Sequence, residues 1–313
     1  MATSESHPPE ILVTGAYGLL GSRVVPFLSD NTQNCKIIAV GRSERQAQAD
    51  VSDSQVSFVH GDLRDKQTWA RLPPTITHVV HLAAVIPWKA EERYEASLVI
   101  DNLLPIANLL ERSQDWPNLQ QIIYSSSVSV YAPTNHWLSE DSSKGPTNLY
   151  GAAKLAGEEL LRTFDARNVR TVSLRFSSLY GYGQYEGTVL PIMARRARQK
   201  QDLLVFADGT RTQDFLHCED AARAILLSFQ KQARGNYNVG TGTPVTMSEL
   251  AETVNRVFAD GQSRIVYQSE KADSDPGIKL DVSKARRELN YEPLISLEHG
   301  LQMLKQEMKE TPE

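Results

Sequence analysis

Tyr150 and Lys154 stand four residues apart in Tyr150-Gly-Ala-Ala-Lys154, and the run that follows, Leu155-Ala-Gly-Glu-Glu-Leu-Leu161, reads as helix. On a helix, positions i and i+4 share a face. A phenol with its ordinary pKa near ~10 is a poor base at neutral pH. A lysine ammonium one turn away favours the phenolate and is expected to lower that value. Acid–base groups work best with a pKa close to the working pH, so this pair can move a proton on and off a substrate hydroxyl. Tyrosine and lysine also meet on ordinary helix faces, so the meaning of the pair depends on the elements that position it.

The strongest such element lies near the N-terminus. Glu10-Ile-Leu-Val-Thr14 is a short apolar strand-like run that feeds into Gly15-Ala-Tyr-Gly18-Leu-Leu-Gly21, and Ser22-Arg-Val-Val-Pro-Phe-Leu28 has helical periodicity. A strand, a glycine-rich turn and a helix in that order form the phosphate-binding corner of a doubly wound sheet. The glycines allow a tight turn and a close backbone approach to a pyrophosphate, and the helix N-terminus adds a favourable dipole. The second strand, Cys35-Lys-Ile-Ile-Ala-Val40, ends in Gly41-Arg42 instead of the acid that usually holds an NAD ribose. Arginine there suits a 2′-phosphate, so NADP is expected over NAD.

Further strands are read at Val56-Ser-Phe-Val-His60, Thr77-His-Val-Val-His-Leu82, Gln120-Gln-Ile-Ile-Tyr124, Asn168-Val-Arg-Thr-Val-Ser-Leu-Arg175 and Gly235-Asn-Tyr-Asn-Val239, with helices between. Asp62, just after the third strand, can reach an adenine amino group or cap a helix. His81 reads as a core histidine. Alternating strands and helices predict an α/β protein on a doubly wound parallel sheet of the Rossmann type. The dinucleotide-binding domain is expected over residues 10–180, with 213–240 returning to it. A smaller C-terminal substrate-binding lobe is expected over 181–212 and 241–313.

The 313 residues carry a net charge of −5, which leaves no basic footprint for nucleic acid. Cys35 and Cys218 make neither a disulfide framework nor a zinc site, so no metal is expected and a reducing compartment, the cytoplasm, is. The N-terminus reads as a short disordered lead, and no apolar run approaches the ~18 residues of a membrane span.

With these pieces in place the chain resembles the extended short-chain dehydrogenase/reductase family, also called the NAD-dependent epimerase/dehydratase family, over about residues 10 to 305. Thr14-Gly15-Ala-Tyr-Gly18-Leu-Leu-Gly21 fits T-G-x-x-G-x-x-G, Gly61-Asp62-Leu63 fits G-D-L, and His81-Leu-Ala-Ala84 fits H-x-A-[AG]. Asn102 opens a stretch like N-V-x-G-T-x-x-L-L-E. Ser127 falls on the catalytic serine or threonine, Tyr150 and Lys154 fit Y-x-x-x-K, and Leu174-Arg175 through Tyr180-Gly181 resembles L-R-x-x-x-x-Y-G. The resemblance implies that Tyr150 is the acid–base, that Lys154 tunes it and holds the nicotinamide ribose, and that Ser127 bonds the same substrate oxygen. It also implies cofactor contacts from Gly15, Tyr17, Gly18, Leu19, Leu20, Gly21, Arg42, Asp62, Leu63, Leu82, Ala83, Ala84, Asn102, Phe176 and Ser178.

Departures bear on the substrate. The family's 4,6-dehydratases carry Asp-Glu directly after the catalytic threonine, where this chain has Val128 and Ser129, so dehydration is not expected. Sugar-nucleotide epimerases often have Asn near Ser178, R-D-F where Gln213-Asp-Phe215 stands, and R-P-G where Lys271-Ala-Asp273 stands. Phosphate clamping would then fall to Arg195, Arg211 or Lys271, of which the lysine gives no bidentate fork. The expected activity is epimerisation or ketone reduction on a sugar, nucleotide-linked. An NADPH-dependent reductase of a non-sugar carbonyl is the alternative. The resemblance further implies a homodimer through a four-helix bundle of helices 94–112 and 150–163, with Leu98, Leu104, Leu109, Leu155 and Leu160 on the shared face.

Overall fold

A computed structural model of the protein describes residues 8–42, 55–89, 91–268 and 277–310. Its first part runs β1 (Glu10–Thr14), α1 (Gly21–Asn31), β2 (Lys36–Gly41), β3 (Val56–His60), α2 (Lys66–Ala70), β4 (His78–His81), α3 (Ser97–Arg112), β5 (Gln121–Ser127), α4 (Leu149–Arg162) and β6 (Arg170–Phe176). Then come β7 (Ser178–Tyr180), α5 (Val189–Arg198), β8 (Leu203–Phe206), β9 (Thr212–Gln213), β10 (Phe215–His217), α6 (Cys218–Gln230) and β11 (Gly235–Val239). The chain closes with β12 (Val245–Thr246), α7 (Met247–Ala259), β13 (Ile265–Gln268), α8 (Ser283–Leu289) and α9 (Leu297–Glu310).

Seven strands form one parallel sheet in the order β11-β6-β5-β4-β1-β2-β3. Ile11, Leu12 and Val13 are all fully buried because both faces are covered, which is why β1 reads as a continuous apolar run and not an alternating one. On one face Ile11, Val13, Ile123 and Leu174 pack against Val24 and Leu28 of α1 and Ile225 of α6. On the other, Leu12, Val79 and Ile122 meet Ile106 and Leu109 of α3 and Leu161 of α4. A third cluster joins Leu190 of α5, Leu250 of α7 and Leu301 of α9 beyond the sheet. The strand order reverses between β1 and β4, and a doubly wound sheet binds ligands outside the carboxyl ends of its strands at such a point.

Two expectations change. The helix expected from 94 begins at Ser97, behind a separate 3₁₀ turn at Glu91–Tyr94. Leu98 and Leu109 are buried and cannot supply an outward face; Tyr94, Ile100 and Leu104 are the large apolar side chains this region exposes. The acids of the later segments serve the fold. Asp214 accepts from Ser177 Oγ and from the N–H groups of Thr241 and Gly242, and Asp220 accepts from those of Leu294 and Ile295.

Candidate active site

At the switch point lies a cavity of about 300 Å³. Of the residues expected to hold a dinucleotide, Gly15, Tyr17, Gly18, Arg42, Asp62, Leu63, Leu82, Ala83 and Ala84 line it. Gly15 sits at φ 69°, and a Cβ there would lie 2.7 Å from Ala83 N, so only glycine lets the turn after β1 pass under the segment after β4. A Cβ on Gly18 meets nothing nearer than 3.4 Å, so this backbone is open to a ligand. No side chain caps α1, unlike α4, where Asn148 accepts from Gly151 N at 2.8 Å. The donors of an uncapped helix start, beside open glycine backbone, are what a pyrophosphate needs. Tyr17 adds a buried hydroxyl without a partner among the described residues. The residues present therefore fit a dinucleotide.

Several expected contacts act from behind. Leu20 belongs to the core, and a Cβ on Gly21 would lie 2.2 Å from Gly15 O, so Gly21 packs helix on turn. Neither these two nor Leu19 lines the cavity. Asn102 is buried, accepting from Val85 N and donating to Val85 O and Leu98 O, so it shapes the cavity wall through Val85. Phe176 is a core residue opposite Ser127 in the β5–β6 register. Ser178 accepts from Gln213 Nε2. Sequence reading missed Arg64, which forks onto Asp62 at 2.6 Å and reaches Asp101 at 2.7 Å. Arg64 holds the Asp62 carboxyl below its ordinary range, and no periodicity in the chain announces that contact.

The catalytic candidates meet where the end of β5 touches α4. Ser127 Oγ accepts from Ser129 N at 3.1 Å and donates to Ser129 Oγ at 3.1 Å, and its hydroxyl stands close enough to the Tyr150 phenol to act on its pKa. Lys154 is 1% exposed; Nζ donates to Ser125 O at 2.6 Å and lies 5.7 Å from the Tyr150 ring centroid. A Cβ on Gly151 would come within 2.3 Å of Ser129 O, so this glycine lets the first turn of α4 approach the strand end. The expected lowering of the Tyr150 pKa is not seen. Burial pushes the phenol up to about 12, with the nearby Ser127 hydroxyl opposing. The same burial brings Lys154 down to about 7, opposed by Glu158 one turn further on. Desolvation outweighs the attraction on which the sequence argument relied.

Of the expected phosphate clamps, Arg195 lies on the exposed side of α5 beside Glu186, at 3.2 Å. Arg211 donates to Gln213 Oε1 at 2.8 Å, and Gln213 reaches Ser178, which gives a polar line from the C-terminal lobe to the end of β7. Lys271 lies outside the described residues.

Fold and cavity together define a dinucleotide-dependent enzyme, with Ser127, Tyr150 and Lys154 as its candidate reacting residues. Residues 11–240 match the model of the NAD dependent epimerase/dehydratase family, and the chain belongs to that family, as an NAD(P)-dependent enzyme of the extended short-chain dehydrogenase/reductase type. It is 27% identical to a putative UDP-glucose 4-epimerase of Methanocaldococcus jannaschii, over 96% of this chain and 98% of that one. The structure of UDP-glucose 4-epimerase from Thermotoga maritima, solved with UDP-glucose, aligns at a TM-score of 0.84 and 27% identity, covering 97% and 100% of the two chains. MoeE5, solved with UDP-glucose and NAD, aligns at 0.81 and 26%, covering 96% and 99%. Among the described residues no helix is long and apolar enough to cross a membrane.

Proposed function

We propose that the protein epimerises a nucleotide-linked sugar at a hydroxyl-bearing ring carbon, with Tyr150 as acid–base. The observation that carries this reading is that Ser127, Tyr150 and Lys154 come together at the end of the strand next to the dinucleotide cavity. The bound nicotinamide supplies the hydride acceptor and donor. Ser127 holds the substrate oxygen. Tyr150 takes its proton as the carbon is oxidised and returns it after the sugar has turned over in the site. The Lys154 ammonium, when charged, stabilises the phenolate. Val128 and Ser129 offer no acid or base for eliminating water, so dehydration is not part of the cycle.

The lobe of residues 181–212 and 241–313 binds the nucleoside diphosphate. Arg211, with Gln213 and Ser178, reaches the phosphates, and Arg195 and Lys271 assist. NADP is preferred over NAD, because Arg42 lines the cavity at the end of β2. Two copies pair through α3 and α4, which pack together and leave Ile100 and Leu104 exposed. The protein works in the cytoplasm, where Cys35 and Cys218, both outside disulfides, stay reduced.

One observation favours a second reading, an NADPH-dependent reductase of a non-sugar carbonyl: Ser178 and Gln213 are uncharged, and Arg195 is already paired. Calorimetric titration of the cofactor-loaded enzyme with UDP, dTDP, GDP and CDP separates the two. The sugar-nucleotide reading expects one of them to bind well below millimolar. Binding no tighter than about millimolar, worth ~4 kcal/mol, for all four would remove it and leave the reductase.

A further inference from the structure

Beneath the catalytic residues lies a buried ion pair that the reaction does not call on. Glu158 sits one turn beyond Lys154 on α4 and is bridged by Arg175 of β6, with Nε on Oε1 at 2.9 Å and Nη2 on Oε2 at 2.7 Å. Both side chains are almost fully enclosed. Glu158 Oε1 also accepts from Ser126 Oγ at 2.5 Å. Ser126 and Arg175 are register partners on adjacent strands, so one carboxylate of α4 grips both strands at the same level. That level is one residue before Ser127 and one after Ser125, whose carbonyl takes the Lys154 ammonium. Two successive residues of β5, Ser125 and Ser126, are thus bonded to Lys154 and Glu158 of a single helix, and the next, Ser127, lies beside Tyr150 of the same helix. Arg175 is anchored in turn, through Nη1, to Tyr131 Oη at 3.0 Å and Glu140 O at 3.1 Å.

A buried ion pair is a poor stabiliser, since desolvating both ions can exceed their attraction, and apolar residues of similar volume often serve as well or better. Stability alone therefore does not account for this one. We infer that Glu158, locked by Arg175, is a positioning residue that fixes Lys154 and Ser127 against each other, and that it governs turnover beyond its part in the fold. The groups facing Lys154 support this. Tyr124 and Ser125 O face it from β5, Tyr150 and Glu158 from its own helix, and His81 from β4. His81 is held neutral by burial, with Lys154 adding to the effect. Arg175 meets this group through Glu158, and among the described residues Glu158 is the acid that acts on the ammonium.

The inference rests on the catalytic reading of Ser127, Tyr150 and Lys154, so its test has one readout that needs no substrate. Lysine-labelled full-length protein is titrated by NMR, with Lys154 assigned through Lys154→Arg. In Glu158→Gln, which keeps the shape and the acceptor for Ser126, the Lys154 midpoint is expected to fall by about one pH unit. On the nucleotide sugar the wild type turns over, kcat is expected to fall at least ~10-fold with KM within ~2-fold. Glu158→Asp, which keeps the charge, is expected to restore the midpoint towards wild type. An unshifted midpoint together with kcat within ~2-fold of wild type overturns the inference. Should Glu158→Gln not fold, the size-matched pair Glu158→Met with Arg175→Met takes its place: folded and slow supports the inference, folded and fully active overturns it. A wild type silent on every nucleotide sugar defeats the proposed function instead, and the titration then decides this inference by itself.

Discussion

Lys154→Met gives the sharpest physical test of the catalytic corner, because the burial that tunes the lysine also leaves a mark on stability. Lys154 is 1% exposed, and its pKa is brought from 10.5 to about 7, chiefly by burial. Below pH 7 both the folded and the unfolded lysine are charged, and the full cost of burying the ammonium weighs on the fold. From pH 7 to 10.5 the folded lysine is neutral while the unfolded one still binds a proton. Stability therefore rises with pH in that window, by up to ~1.4 kcal/mol per pH unit. Between pH 7 and 9 this one group contributes an increase of ~2 kcal/mol. For a chain of this size that is ~3 °C in Tm. Methionine fills similar space and does not titrate, so in Lys154→Met the increase should vanish while other groups titrate as before. Differential scanning calorimetry of both proteins without cofactor, at pH 7 and pH 9, reads the difference directly. The same Tm change in both proteins would refute the claim that Lys154 is desolvated.

Three further outcomes follow from the site. Tyr150→Phe should cut turnover by ~10²–10⁴ while leaving cofactor affinity nearly unchanged, as checked by steady-state kinetics and cofactor titration; more than about a tenth of the wild-type rate would contradict its role. Arg42→Ala should abolish a preference for NADP over NAD in binding titrations, and equal affinities in the wild type would return Arg42 to an ordinary turn residue. Light scattering at micromolar concentration should give the mass of a dimer, and charge introduced by Ile100→Asp in the exposed stripe of α3 should shift it towards monomer; a monomeric wild type would contradict the pairing.

The parallel sheet was legible because its strands are apolar on both faces. Gly235–Val239 can be read to the residue, whereas β5 runs through Ser125, Ser126 and Ser127, polar residues that strand periodicity alone would have ended at Tyr124. The two-residue strands β9 and β12 and the β7–β10 pair carry no periodic signal, since their partners lie far away in the chain. The glycine turn was legible because its chemistry is local, and the cavity residues up to Ala84 were legible chiefly through the motifs that carry the family resemblance. Leu98 and Leu109 were misplaced because which side of a helix faces inward is decided by tertiary packing. The sign of the Tyr150 displacement was missed for a related reason. Spacing reports that a lysine is near but not how far the phenol is desolvated, and desolvation is the larger effect.

The central claim is that a nucleotide sugar is oxidised and returned at one ring carbon under Tyr150. Its most direct test is incubation of the cofactor-loaded enzyme with a panel of nucleotide sugars, following by NMR the configuration at each ring carbon and by absorbance the reduced cofactor. The expected result is a new epimer from at least one sugar, with no net change in reduced cofactor and no epimer from Tyr150→Phe. Sugars left unchanged while reduced cofactor is consumed stoichiometrically with a non-sugar ketone would contradict it.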